Sequence, residues 1–157
     1  MTRKEQLIYG ILGLSGVLLQ VLIFNHLSFG EIRPDLPLVL LIWVISTQKR
    51  TTALVFAAFT GLLFDFFMDL WGLHLMAKTA TTWLVYRFTP RIEETKLVFS
   101  QVFLLIFAIS FIHHLIFLLS SLFTQVYQAE HMFLEYLIGC SFLTAIIGSI
   151  IYILRDT

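Results

Sequence analysis

ALVFAAFTGLLFDFFMDLWGLHLMAK, residues 53–78, decides how the rest of the chain is read. It is overwhelmingly apolar, yet it carries Asp65, Asp69, His74 and Lys78. Ala53, Ala57, Gly61, Asp65 and Asp69 recur every four residues, so on a helix they form one slowly drifting stripe. The three small residues suit close approach of a neighbouring helix. Trp71-Gly72 signals a turn, and a second apolar helix follows. Counted outward from that turn, Asp69 stands opposite His74, and Asp65 stands opposite Lys78. A charge in hydrocarbon is costly, so the spacing predicts a polar core of these four residues in which Asp65 and Lys78 pair. The alternative has Lys78 snorkelling outward while Asp65 is protonated or meets Thr79 or Thr82.

Composition extends this reading to the whole chain. Of 157 residues, 59% are hydrophobic and 13% charged, against about half and about a quarter in soluble domains. Apolar runs recur from end to end, too many for one soluble core, and the chain reads as an integral membrane protein. Formal charge balances, so it gives no ground for a nucleic-acid partner. The single cysteine, Cys140, excludes an internal disulfide and a cysteine metal cluster. The basic start followed by an apolar run resembles a signal peptide, but no small-x-small site precedes Leu27. It is read as an uncleaved first span.

Six apolar segments result, at about 7–27, 36–48, 51–70, 73–89, 97–123 and 132–154, giving an all-α polytopic membrane domain over 1–157. The first carries Gly10, Gly13 and Gly16, candidate contacts for a partner's helix, with polar Gln20, Asn25 and His26 near its end. The second is short, about 20 Å as a straight helix. It must sit off-centre, thin the bilayer or be shielded by other helices. Pro34 and Asp35 suit its start, the proline setting the chain direction and the carboxylate capping free N–H groups. Pro37 in the first turn removes no intrahelical hydrogen bond. With the N-terminus in the cytoplasm, Arg3, Lys4, Lys49, Arg50, Arg87, Arg91, Lys96 and Arg155 fall inside. Arg33 alone falls outside, and Lys78 lies within a span. That bias requires all six segments to cross, and it places Trp71-Gly72 near the outer face.

Catalytic readings find little support. Gly61, Asp65 and Asp69 match the second half of the CDP-alcohol phosphotransferase motif. The arginine of its first half would fall on Thr52, and no aspartate precedes Gly61 until Asp35. Two carboxylates alone are a poor site for a hard divalent cation. Membrane aspartyl signal peptidases also use two aspartates, but their asparagine- and alanine-rich motifs are missing. His113 and His114 are adjacent and point about 100° apart on a helix, so they do not share a metal as a same-face pair would. One is expected to face a neighbour or water and the other to snorkel or hydrogen-bond. Glu135 reads as interfacial. There is no phosphate loop, Ser/His/Asp arrangement or HExxH motif. No catalytic, cofactor-binding or metal residue is assigned, and no cofactor is expected.

Three places carry a resemblance. Arg33-Pro34-Asp35-Leu36 before an apolar run, Gly61 four residues before Asp65, and the glycine turn Gly72-Leu73-His74 together resemble the bacterial rod shape-determining MreD family. Asp69 stands where many members have glycine. The resemblance implies a six-helix fold similar to the substrate-binding subunits of energy-coupling-factor transporters. It implies a non-enzymatic scaffold in the cytoplasmic (inner) membrane, within the elongation machinery that builds side-wall peptidoglycan. An MreC-like bitopic protein would be the direct partner. MreB-like filaments and peptidoglycan synthases would belong to the same complex, in the lipid bilayer and without nucleic acid. The alternative is a substrate-binding membrane subunit of a vitamin or metal transporter, with Asp65, Trp71, His74 and Lys78 contributing to an outward pocket.

Overall fold

The computed structural model describes residues 3–24, 32–91, 98–124 and 133–156. Helix α1 (Arg3–Leu19) runs into a π-helical turn (Gln20–Phe24). Then come α2 (Leu36–Thr47), α3 (Arg50–Met68), α4 (Leu73–Val85), α5 (Phe99–Thr124) and α6 (Phe133–Asp156), with no sheet among the described residues. Leu7–Phe24, Arg50–Met68, Phe99–Phe123 and Phe133–Leu154 are long and apolar enough to cross a membrane. The two remaining helices have 12 and 13 residues. Of the expected segments, residues 25–27, 97 and 132 lie outside the described residues. So do Asn25, His26 and the loop bearing Lys96.

The shortness of α2 has a structural reason. It packs on α1, α3, α5 and α6, and only Leu40, Trp43 and Thr47 of its twelve residues escape full burial. A helix that is apolar all round belongs inside a bundle, and here it never meets lipid along most of its length. Its side chains form the main core with Ala53, Phe56 and Ala57 of α3, Val85 of α4, Val102, Ile106 and Ile109 of α5, and Ala145 of α6. A second core joins α4, α5 and α6 through Leu73, Ala77, Phe117, Leu118 and Leu137. At the other end of α2, the Gln48 carbonyl accepts from Tyr86 Oη at 3.0 Å and Arg91 Nη1 at 2.6 Å. Arg91 also bonds to the Tyr86 hydroxyl. These contacts hold the turned segment Tyr86–Phe88, so α4 stops at Val85 rather than near 89.

The small-residue stripe of α3 sits where close packing is needed. Ala53 and Ala57 are fully buried. A Cβ on Gly61 would lie 2.6 Å from Leu75 Cα and 2.8 Å from Leu75 N, so α3 and α4 touch backbone to backbone. The turn between them uses three left-handed residues, Asp69 (φ 56°), Trp71 (φ 45°) and Gly72 (φ 92°). Aspartate tolerates this region better than most side chains, so Asp69 can hold the left-handed position at the end of α3.

The glycines of α1 divide. Gly13 lies against Phe56, Phe59 and Thr60 of α3, and Gly16 lies against Leu40 of α2. Both are used inside the bundle, which corrects the expectation that they face a partner. Gly10 alone of the three has no atom near its missing Cβ.

Gly61→Ala should therefore push α3 and α4 apart and cost about 1–3 kcal/mol, as overpacking does. Gly10→Ala should stay within about 0.5 kcal/mol, the usual range away from packed features. Reversible unfolding in detergent measures both, and equal stabilities would remove the close contact.

Candidate functional site

The site is built around a piece of irregular backbone sunk into the bundle. Of residues 33–35, which precede α2, only Asp35 joins the helical ladder, its carbonyl accepting the Val39 N–H at 3.2 Å, and Asp35 is buried. In hydrocarbon such backbone must find partners within the protein. The Gln20 side chain supplies two, donating from Nε2 to the Pro34 carbonyl at 2.8 Å and accepting the Leu36 N–H at 2.9 Å. The Asp35 N–H donates to Thr144 Oγ1 of α6 at 3.0 Å, and the Arg33 N–H to Cys140 Sγ at 3.4 Å. The π-helical turn carries Gln20, and Gln20 is its only buried residue. One π turn changes the facing of the residues around it, and here it accompanies a polar contact at depth. Thr144 lies 11 residues into α6, about 16 Å along its axis, so α2 begins well below the helix ends.

Asp35 then does two things. Its Oδ1 accepts the Leu38 N–H at 2.8 Å, an N-cap on α2. The same carboxylate accepts Lys78 Nζ at 3.1 and 2.8 Å. Lys78 reaches it from α4 and is 0% exposed. Removing one member of such a pair strands a charge, which costs about 3–5 kcal/mol. Lys78 Nζ also stands 5.8 Å from the Phe64 ring centroid. His113 Nε2 of α5 lies 3.4 Å from Asp35 Oδ2. The His74 ring is held between Phe117, stacked at 4.5 Å, and Phe64, edge-on at 4.5 Å. Asp35, His74 and His113 bring one ligand atom each within 4.8 Å of the others. Beside them lies a cavity of about 110 Å³ lined partly by Gln20, Arg33, His114 and Tyr136.

Asp65 serves the hairpin. Its Oδ1 accepts the His74 N–H at 2.9 Å and its Oδ2 the Leu75 N–H at 2.8 Å. These N–H groups open the first turn of α4, where Gly72 at the N-cap has no side chain to offer. A carboxylate on the preceding helix takes the capping role and faces the positive end of the helix dipole.

The family model described as rod shape-determining protein MreD matches residues 1–153. This chain belongs to the MreD family. No curated protein matches the chain, and no solved structure does either. Membership supports a role in rod shape determination, and the four long apolar helices fit a multi-pass membrane protein. The MreD family is one of shape-determining membrane proteins and is not a known family of enzymes.

The three MreD-like places meet in this site. The 33–36 segment supplies Asp35, the 61–65 segment the tight contact and the capping carboxylate, and the 72–74 segment the turn into α4. The expected Asp65–Lys78 pair is corrected: Lys78 bonds Asp35, and Asp65 bonds backbone. Residue counting placed the two at similar depth but said nothing about rotation. His74 and Lys78 are four apart and share one face of α4, directed at α2 and α5. Leu75, beside Gly61, marks the face toward α3. Asp69 is exposed at the turn while His74 is buried, so the outer pair of the expected polar core does not form. The sequence pointed to Asp35 only as a cap. Gln20, Thr144 and His113 escaped assignment, although a glutamine inside an apolar span was a visible signal.

A double-mutant cycle tests the assignment. Asp35→Asn and Lys78→Met should each cost about 3–5 kcal/mol, and the double variant less than their sum. Asp65→Asn with Lys78→Met should be nearly additive, since these side chains do not bond. Additive losses for Asp35 and Lys78, with coupling between Asp65 and Lys78, would reverse the pairing.

Proposed function

We propose that this protein is a non-enzymatic membrane scaffold that holds a transmembrane helix of an MreC-like bitopic partner within the elongation machinery. The reading rests on the MreD family match over residues 1–153. A groove on the outer side of the bundle supports this reading. An apolar groove of about 560 Å³ runs along α1 and α3, lined by Tyr9, Gly10, Lys49, Thr51, Thr52, Val55, Phe56 and Phe59. Gly10 leaves its floor open, and small residues let helix backbones approach closely. Biasing the partner's position would link cytoplasmic MreB-like filaments to peptidoglycan synthases acting outside. The main charged groups of the interior are meanwhile engaged in holding α2 and α4 in place, as a scaffold requires. A vitamin-binding subunit calls for a pocket of several hundred Å³, whereas the polar cavity beside His74 measures about 110 Å³.

All six helices cross in this reading, with both ends cytoplasmic, as the basic residues favour. The sunken start of α2 lets a 12-residue helix take part in a crossing, because the chain before it descends between α1 and α6.

Photo-crosslinkers at Val55 and Phe59 should capture the membrane helix of the MreC-like protein, while one at Leu104 on α5 should not. Equal capture from all three, or none from Val55 and Phe59, argues against the groove. Topology is read separately on a Cys140→Ser background. Trp71→Cys, at a site 88% exposed, should label from outside, and Phe88→Cys, at a site 83% exposed, should not. The opposite pattern reverses the orientation.

A further inference from the structure

The sunken polar cluster contains two histidines that neither the cap nor the ion pair uses, beside the Asp35 carboxylate that serves both. Asp35, His74 and His113 come from the start of α2, from α4 and from α5, and they place one ligand atom each within 4.8 Å of the others. His113 is 0% exposed and His74 8% exposed. Both ring nitrogens of His113, and Nδ1 of His74, are buried without a hydrogen-bond partner. Buried polar atoms are nearly always satisfied, and unsatisfied ones call for an explanation. His113 Nε2 stands 3.4 Å from Asp35 Oδ2, longer than a close hydrogen bond. The His74 ring is fixed between Phe64 and Phe117. His114 is differently placed, with Nδ1 at 2.8 Å from the Ser110 carbonyl. The adjacent histidines thus split, and the one that faces the cluster meets a histidine from another helix.

Two imidazoles and one carboxylate are a donor set suited to a borderline-soft divalent ion with an open fourth position. We propose that Asp35, His74 and His113 bind a divalent transition metal ion of the zinc class, with water completing the coordination from the neighbouring cavity. Lys78 is the resident cation of the metal-free site. Its ammonium contacts both carboxylate oxygens, at 3.1 Å to Oδ1 and 2.8 Å to Oδ2. A metal takes Oδ2, which faces His113, and leaves Lys78 on Oδ1. The two cations repel, so Lys78 limits the affinity. Loss of a nearby positive charge should tighten metal binding about tenfold or more.

The test uses the full chain purified in detergent without a histidine tag and titrated with Co2+ alone. Ligand-field bands of four-coordinate Co2+ are expected at one ion per chain, with Zn2+ displacing them. His113→Ala and His74→Phe should each abolish the bands with helical content unchanged, and His114→Phe should keep them. Lys78→Met should lower the Co2+ dissociation constant. If a histidine variant fails to fold, the wild-type titration still decides. Absence of the bands overturns the proposal, as does a band that survives in folded His113→Ala or His74→Phe.

Discussion

A lysine and an aspartate facing each other away from water govern this structure. Lys78 is fully buried on α4 and meets Asp35 at the start of α2. Neither charge is tolerable alone in a membrane bundle. The pair ties together two elements that are too short to register themselves against the bilayer. Once Asp35 is drawn inward, the backbone around it loses water, and the contacts from Gln20, Cys140 and Thr144 become necessary. The π-helical turn that carries Gln20 and the descent of residues 33–35 belong to the same constraint.

A second requirement acts on the α3–α4 hairpin. The backbones touch at Gly61, so α4 starts close beside α3, and its first N–H groups need an acceptor. Asp65 supplies both carboxylate oxygens to them. The hairpin is therefore fixed by a cap at one end and by close packing just beyond it. With that register set, His74 and Lys78 point together toward α2 and α5. Asp69 closes α3 in the left-handed conformation.

These two devices also bear on function. In an MreD-family protein, a bundle whose charges are tied up internally offers its outer faces for contacts with other helices. Gly13 and Gly16 are consumed by α3 and α2, which leaves the groove beside Gly10 as the open small-residue surface of α1. The polar cavity and that groove are lined by different residues.

The sequence by itself determined the class of molecule and the position of its helices. Long apolar runs can only be buried in lipid or in each other, and glycine, proline and charged residues mark where they stop. It also marked the three short stretches that meet in the site, because a charge inside an apolar run needs a partner wherever the chain leads. Only the tertiary structure decided which partner. Depth along a helix can be counted from a turn at 1.5 Å per residue, and that count set Asp65 beside Lys78. Rotation and the descent of distant backbone cannot be counted. Asp35 is 43 residues from Lys78, and it reaches the lysine because α2 is the central helix and starts below the surface. The convergence of His113 with His74, rather than with its neighbour His114, was likewise set by how α4 and α5 pack.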